Sequence, residues 1–168
     1  KAIELTEGGK GTVTVINVGE ASNDPTIRKA LAIGADDAVR VNAFPRDAYF
    51  VAKQIAEYAK DKDFNIILTG RESIDYNGNQ VAAMVGEFLD IPSISIIKKL
   101  EVNGDAATLE REIEGGKEVI TVNGKFVASC AEGVAEAKIP NMRGIMSART
   151  KPLNVIEAVA IEEVSKIV

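Results

Sequence analysis

Short apolar runs alternate with helical patterns through the first hundred residues, and this alternation constrains the fold most. Four runs rich in β-branched and other apolar residues lie at residues 12–18, 38–42, 64–68 and 93–97. Three segments with apolar residues near the 3.6-residue helical period lie between them, at about residues 25–33, 46–60 and 80–89. Strands and helices that alternate through short connections predict the doubly wound α/β class, in which helices cover a parallel sheet.

The pattern changes at Lys98 to short alternating segments separated by turn signals. These segments lie at residues 99–103, 107–113, 117–122 and 125–130. Asn103-Gly104 and Asn123-Gly124 are strong hairpin signals, so we expect an antiparallel meander attached to the sheet. A mixed region with a short helix near Met142–Ala148 follows, and the apolar tail from Lys151 to Val168 needs a surface to cover it.

The composition excludes several kinds of site. The 168 residues include no histidine and one cysteine, Cys130, so the chain alone cannot build a Ser-His-Asp triad or a Cys-His pair, and a zinc tetrad is disfavoured. We therefore predict no catalytic residue and no metal site, and we expect Cys130 to be a buried small side chain. A net charge of −5 argues against nucleic acid as a partner. Without a long apolar run or a signal-peptide pattern, we expect one cytoplasmic domain with no membrane insertion.

Two loops are candidates for ligand binding because parallel sheets bind ligands outside the carboxyl ends of their strands. One follows Val18, and the other is the polar stretch Thr69–Gln80, which ends where a helix is predicted to begin. Free N–H groups at a helix start suit a phosphate. Asp75 and Asn77 either bind ribose and adenine edges or cap the turn. An ordinary connecting loop remains the commoner alternative, since neither G-x-x-x-x-G-K-[ST] nor G-x-G-x-x-G is present.

Two groups of basic residues are candidates for binding surfaces. We expect the first group to lie on a solvated surface: Arg28, Lys29 and Arg40. A second group near the end of the chain comprises Lys138, Arg143, Arg149 and Lys151. It is interleaved with the apolar residues Ile139, Met142, Ile145 and Met146. Because surface methionine suits adaptable protein contacts, this second group indicates either a partner-docking surface or a solvated face.

Four segments, in chain order, resemble the β subunit of electron transfer flavoproteins. They are Thr26–Asp36 (TIRKALAIGAD), Arg71–Met84 (RESIDYNGNQVAAM), Leu109–Glu118 (LEREIEGGKE) and Pro140–Pro152 (PNMRGIMSARTKP). Within the second, Ser73-Ile74-Asp75 and Gln80-Val81 match the order and spacing of that family's nucleotide-binding segment. The resemblance extends over essentially the whole chain.

This resemblance implies a Rossmann-like α/β fold of the adenine nucleotide alpha hydrolase type. It implies a mostly parallel sheet with an antiparallel hairpin region in a nucleotide-binding domain at residues 1–130. A recognition loop and a C-terminal arm, which embraces an α subunit, would occupy residues 131–168. The implied role is that of an electron carrier subunit, not an enzyme. The heterodimer would take electrons from flavin dehydrogenases, such as acyl-CoA dehydrogenases, and pass them to a downstream acceptor.

The resemblance also implies cofactors and the residues that hold them. The β site would hold AMP in an ordinary electron carrier or a second FAD in a bifurcating one, and the main FAD is shared with the α subunit. The implied cofactor-binding residues are Val18, Arg71, Ser73, Asp75, Asn77, Gly78, Asn79, Gln80, Val81 and Ala82. The implied partner-recognition residues are Lys138, Ile139, Pro140, Met142, Arg143, Ile145 and Met146. Met142 falls where the family places its anchoring side chain, usually leucine.

Three departures from the family pattern bear on these expectations. Ala82 stands where the family usually has glycine, so its methyl group would crowd a phosphate, and Ala135–Lys138 lacks the usual Glu-Pro-Arg. Lys1–Glu7 resembles the end of a helix, whereas the family begins earlier with a strand, a loop and most of a helix, so we expect a fragment. Two alternatives stay open: a universal-stress-type adenine-nucleotide-binding regulatory domain and an enzyme of the adenine-nucleotide hydrolase group. Neither explains the chain as fully, because the first leaves residues 129–168 unaccounted for and the second lacks a histidine and a phosphate loop.

Overall fold

A computed structural model describes residues 1–74 and 77–162 of the chain. The helices in these ranges are α1 (Ala2–Thr6), α2 (Asp24–Ile33), α3 (Ala48–Ala59), α4 (Val81–Leu89) and α5 (Met142–Ala148), with a 3-10 turn at Ala21–Asn23. The strands are β1 (Thr14–Gly19), β2 (Asp37–Asn42), β3 (Ile66–Gly70), β4 (Ser93–Asn103), β5 (Ala106–Ile113), β6 (Gly116–Asn123), β7 (Phe126–Cys130) and β8 (Leu153–Glu157). The longest of these helices, α3, has 12 residues, so no described helix is long enough to cross a bilayer.

The described strands form two sheets. The first has the order β1-β2-β8 and is parallel throughout. The second has the order β3-β7-β4-β5-β6, in which β3, β7 and β4 are parallel and the β4–β5–β6 part is antiparallel. The predicted α/β class and its antiparallel hairpin region are confirmed. The described strands form two sheets, however, whereas a single sheet was predicted.

Strand β7 differs from its predicted place. The sequence pattern assigned residues 125–130 to the antiparallel meander, but β7 lies between β3 and β4 and is parallel to both. The reason is burial on both faces: Phe126, Val127, Ala128 and Ser129 are all buried, which is typical of an interior parallel strand. The meander is therefore confirmed for β4, β5 and β6 only.

A bulge in β4 connects the parallel and antiparallel parts of the second sheet. The pattern predicted separate strands at 93–97 and 99–103, but β4 is one strand of 11 residues. Its register against β7 shifts between Ile94 and Ile97, and Ile96 has a φ of 57°. The Ile96 N–H donates to Ser129 Oγ at 2.7 Å, which satisfies the backbone group that the bulge removes from the ladder.

The C-terminal segment packs on the chain itself as far as it is described. β8 pairs in parallel with β2, and Ile156, Ala158 and Ile161 pack against a core of Val18, Val41 and Phe50. Gln54 of α3 exchanges two hydrogen bonds with the backbone of Val159, at 2.7 and 2.8 Å. The expectation that the whole apolar tail lies on a partner is therefore wrong up to Ile161. Its last apolar residues, Val164, Ile167 and Val168, lie outside the described residues.

Candidate functional site

The carboxyl ends of β1 and β3 lead into the two loops that were predicted to bind a ligand. β1 and β3 are end strands of their sheets, and residues of both line one groove. β1 ends at Gly19 and continues into the 3-10 turn before α2, while β3 ends at Gly70 and continues toward α4. The candidate site therefore comprises the loops that follow these two end strands.

The loop after β1 is held closely by short side chains. Val18 is buried, and Asn23 donates from Nδ2 to Asn17 Oδ1 at 3.1 Å across the turn. A Cβ on Gly19 would lie 2.2 Å from Asn23 Nδ2 and 2.8 Å from Asn17 Oδ1. A side chain at this position would displace the two amides, so glycine here leaves room for the hydrogen bond between Asn17 and Asn23.

Arg40 of β2 supports the same loop through hydrogen bonds. Its side chain is 5% exposed, and its Nε donates to Asp24 Oδ1 at 2.6 Å. Its Nη1 donates to the Gly19 carbonyl at 3.0 Å and to Asn42 Oδ1 at 2.9 Å. The expectation that Arg40 is a solvated surface residue is wrong, because a guanidinium buried in a parallel strand must find partners.

The loop after β3 is exposed and has an unusual backbone. Arg71 forms an ion pair with the neighbouring Glu72, and the Asn77 N–H donates to the Ser73 carbonyl at 2.8 Å. Asn77 and Asn79 have φ angles of 51° and 43°, the left-handed region that asparagine tolerates better than most residues. Left-handed residues of this kind are also found in anion-binding nests. The predicted site residue Asp75 lies outside the described residues.

The amino end of α4 offers donors to this loop. Gln80 is the N-cap residue, and its side chain accepts no hydrogen bond from the first turn. Since the first N–H groups of a helix lack partners within it, this end is suited to an anion. Ala82 is buried in a core with Ala52, Val85 and Val127, while Val81 is half-buried. The Ala82 methyl group therefore packs into this core. The structure does not show the expected crowding of a phosphate by this group.

Helix α5 carries the predicted recognition surface. Four apolar side chains are exposed, and we call them the α5 apolar patch: Ile139 (91%), Met142 (74%), Ile145 (41%) and Met146 (65%). Asn141 caps the helix, because its Oδ1 accepts from the Gly144 N–H at 2.8 Å. Arg143 and Arg149 are exposed beside the patch, Pro140 is half-buried, and Lys138 pairs with Glu7.

Helix α5 is fixed to α2 on its other side. A Cβ on Gly144 would lie 2.2 Å from the Ala32 carbonyl oxygen, so the two helices approach closely. Arg28 donates to the carbonyls of Ala148 and Lys151 at 2.8 and 2.6 Å. Lys151 Nζ in turn donates to the carbonyls of Leu31 and Ala35 at 3.1 and 2.6 Å. Arg28 and Lys151 therefore anchor α5, and their assignment to solvated or docking surfaces is wrong.

Cys130 lies at the carboxyl end of β7 and is half-buried. It packs against the core that includes Ile97 and Phe126. Desolvation raises the pKa of its thiol, so little thiolate forms near neutral pH.

Asn17 and Asn23 hold the loop after β1 but were not predicted from the sequence. In the sequence, both are polar residues close to Gly19, where the apolar run ends, and this position indicates a role in the loop. For Arg40 the signal was a charged residue inside the buried pattern Ala38–Asn42, which requires a partner such as Asp24.

Comparison with known proteins adds a family to this geometry. A family model described as "Electron transfer flavoprotein domain" matches residues 1–161. "Electron transfer flavoprotein subunit beta" of Bacillus subtilis strain 168 is 38% identical over 161 residues, which cover 94% of this chain and 63% of the relative. The subunits of the same name from Syntrophomonas wolfei and Homo sapiens are 34% and 31% identical, over 99% and 86% of this chain and 67% and 59% of the relatives.

The relatives are longer than the matched region. The chain spans less than two thirds of the length of the Bacillus subtilis relative, and the residues of the predicted site lie inside the matched region. The match runs from the first residue through β1, α4 and α5 to Ile161, so it covers both candidate surfaces. The chain belongs to the electron transfer flavoprotein domain family.

Proposed function

We propose that this chain is the adenine-nucleotide-binding part of an electron transfer flavoprotein β subunit. In this role it would pair with an α subunit and take part in electron transfer from flavin dehydrogenases, such as acyl-CoA dehydrogenases, to a further acceptor. The observation that carries the proposal is the amino end of α4, where the Gln80 side chain makes no capping hydrogen bond and which follows two residues with left-handed φ angles, Asn77 and Asn79. The chain's membership in the family supports the same role.

The nucleotide would meet mainly backbone groups. Its phosphate would lie against the first N–H groups of α4, at Gln80, Val81 and Ala82. Arg71 would supply the positive charge nearest to that phosphate, since its guanidinium is exposed and bound to Glu72 alone among the described residues. Val18 and the Gly19 loop would form the opposite wall of the site.

AMP and FAD share the adenosine and the phosphate that this site would recognise. The exposed side chains Ser73, Asn77 and Asn79 leave the outer side of the loop open to solvent. We propose AMP as the ligand, because the proposed contacts are all to one phosphate and one nucleoside. The alternative, a second FAD, would extend outward along that open side.

The α5 apolar patch is proposed to dock on a flavin dehydrogenase. Met142 and Met146 lie one turn apart on one face of α5, and both are mostly exposed. The anchoring of the opposite face by Gly144, Arg28 and Lys151 keeps this patch fixed before docking. Arg143 and Arg149 would then meet acidic groups of the partner.

A calorimetric titration tests the nucleotide site. AMP is titrated into the purified complex after removal of bound nucleotide, and adenosine serves as the matched ligand without a phosphate. The proposal expects AMP to bind at least about tenfold more tightly, since a phosphate on a helix start adds charge-assisted hydrogen bonds. Equal affinities for AMP and adenosine would exclude a phosphate site at α4.

A pull-down assay tests the docking surface separately. Met142→Asp should weaken capture of an acyl-CoA dehydrogenase by about 2 kcal/mol, in the range of an interface anchor. The matched control is Val119→Asp, since Val119 is 58% exposed on β6, away from α5. Equal loss in both variants would contradict a specific role for the α5 apolar patch.

A further inference from the structure

Helix α5 depends on α2 for its stability. It has seven residues, and an isolated helix of fewer than about 12 residues is at best marginal in water. Only one of its residues, Ala148, is buried, and it lies in a core with Ile27, Leu31 and Ala35. The α5 apolar patch is therefore an ordered surface only while α5 stays packed on α2.

Charged side chains make the contact between α2 and α5 reciprocal. Arg28 Nη1 donates to the carbonyls of Ala148 and Lys151, at 2.8 and 2.6 Å, at the carboxyl end of α5. Lys151 Nζ donates to the carbonyls of Leu31 and Ala35, at 3.1 and 2.6 Å, at the carboxyl end of α2. Each cation satisfies carbonyls that lack a partner within their helix and complements the helix dipole. Removal of either cation should therefore favour release of α5.

The other end of α2 borders the loop after β1. Arg40 Nε donates to Asp24 Oδ1 at 2.6 Å, and Arg40 Nη1 donates to the Gly19 carbonyl at 3.0 Å. Asn23, the N-cap residue of α2, donates to Asn17 at 3.1 Å. This loop forms one wall of the proposed nucleotide site, so α2 begins at that site and carries α5 on its other half. Its 10 residues span about 15 Å.

Packing of α5 on α2 requires order in both helices. A nucleotide that lies against the Gly19 backbone restrains the loop and, through Arg40 and Asp24, the start of α2. Because α2 is then already ordered, less conformational entropy is lost when α5 packs on it. AMP therefore shifts α5 toward the packed state, by a factor equal to its preference for the packed chain over the released one.

We propose that α2 couples the nucleotide site to the docking surface: AMP favours packed α5, and Arg28 is the positioning residue that holds α5 ready for the dehydrogenase. This inference rests on the proposed function of both surfaces. In the wild-type chain α5 is already packed, so AMP changes docking by less than about twofold. When α5 is partly released, the affinity for the dehydrogenase falls in proportion to the packed fraction, and AMP restores it.

An Arg28→Met variant tests the coupling in the complex with the α subunit, after bound nucleotide has been removed. The variant loses both hydrogen bonds to the end of α5, so its affinity for an acyl-CoA dehydrogenase should fall by at least about fivefold without AMP. Saturating AMP should raise that affinity again by at least about twofold, whereas a purely structural defect would not respond to AMP. Lys29→Met is the matched control on the same helix, because Lys29 is exposed, and it should behave as the wild type.

Hydrogen exchange gives a second readout that needs no dehydrogenase. The Ile145 N–H donates to the Asn141 carbonyl at 3.0 Å within α5, so its exchange reports release of the helix. AMP should slow this exchange by at least about fivefold in the wild type, within the usual range of coupling between two sites. Arg28→Met should speed it by at least about tenfold, while the amides of β5 and β6 stay unchanged.

The outcomes separate the coupling from the proposed function. If AMP binds in calorimetry but changes neither exchange in α5 nor docking of Arg28→Met, the coupling is overturned and the nucleotide site stands. Unchanged docking of Arg28→Met despite faster exchange would overturn the positioning role. Absence of AMP binding to the wild type would overturn the proposed function, and the coupling with it. If Arg28→Met fails to fold, Lys151→Met removes the reciprocal hydrogen bonds and must show the same weakening and the same recovery with AMP.

Discussion

The buried guanidinium of Arg40 gives the most quantitative prediction. Arg40→Met keeps the apolar stem and removes all three hydrogen bonds, to Asp24, the Gly19 carbonyl and Asn42. The Gly19 carbonyl is buried, and a buried acceptor without a donor costs about 1–3 kcal/mol. Asp24 is 38% exposed and Asn42 is exposed, so water replaces much of those two interactions, which contribute about 0.5–1 kcal/mol each.

The expected loss for Arg40→Met is therefore about 3 kcal/mol in the free energy of unfolding. Urea unfolding followed by circular dichroism measures it, and with a slope near 2 kcal/mol per molar the midpoint should fall by about 1.5 M. The same variant should weaken AMP binding, because the loop after β1 loses its support.

Lys29→Met is the matched control for this experiment. Lys29 is exposed on α2, so its replacement should change stability by less than about 0.5 kcal/mol. If Arg40→Met and Lys29→Met differ by less than that amount, the reasoning about buried partners of Arg40 is refuted.

Three further predictions concern Cys130, the β4–β5 turn and the start of α4. Because burial raises the pKa of Cys130, iodoacetamide at pH 8 should alkylate it more slowly in the folded chain than in urea, and equal rates would contradict this. Gly104→Ala should cost about 1 kcal/mol in urea unfolding, because Gly104 has a φ of 63°, whereas Gly116→Ala, with neither a positive φ nor a close neighbour, should cost less than about 0.5 kcal/mol. Gln80→Glu should stabilise the chain by about 0.3–1 kcal/mol through the α4 dipole while it weakens AMP binding, and tighter AMP binding would contradict a phosphate at that end.

Local patterns in the sequence were sufficient for most of the elements. The 3.6-residue period places α3 and α4 within two residues of their observed bounds, and Gly34 ends α2 as predicted. Such patterns depend on residues that are close in sequence. They therefore predict helices and turns correctly where local interactions determine the structure.

Pairing between distant segments could not be predicted in the same way. Asn123-Gly124 has the composition of a hairpin turn, yet it joins β6 to β7, which lies beside β3 and β4 and does not pair with β6. The choice depends on the burial of Phe126 and Val127 on both faces, a property of the assembled sheet. For the same reason, β8 was assigned to an arm although it pairs with β2.

The candidate site was predicted in outline from topology. The rule that ligands bind at carboxyl ends of parallel strands selected the loops after Val18 and Leu68. The contacts of Arg40 with Asp24 and of Arg28 with Ala148 join residues 16 and 120 positions apart, and a single sequence does not identify such partners.

The most direct test of the proposed function is the nucleotide content of a purified complex. The chain is co-expressed with an electron transfer flavoprotein α subunit, the complex is denatured, and released AMP and flavin are quantified per heterodimer. The proposal predicts AMP and FAD in equal amounts, one of each per heterodimer, whereas twice as much FAD with no AMP would assign the α4 loop to a second FAD. A complex that releases flavin but no second nucleotide of either kind, or no complex at all, would contradict an adenine-nucleotide site at the amino end of α4.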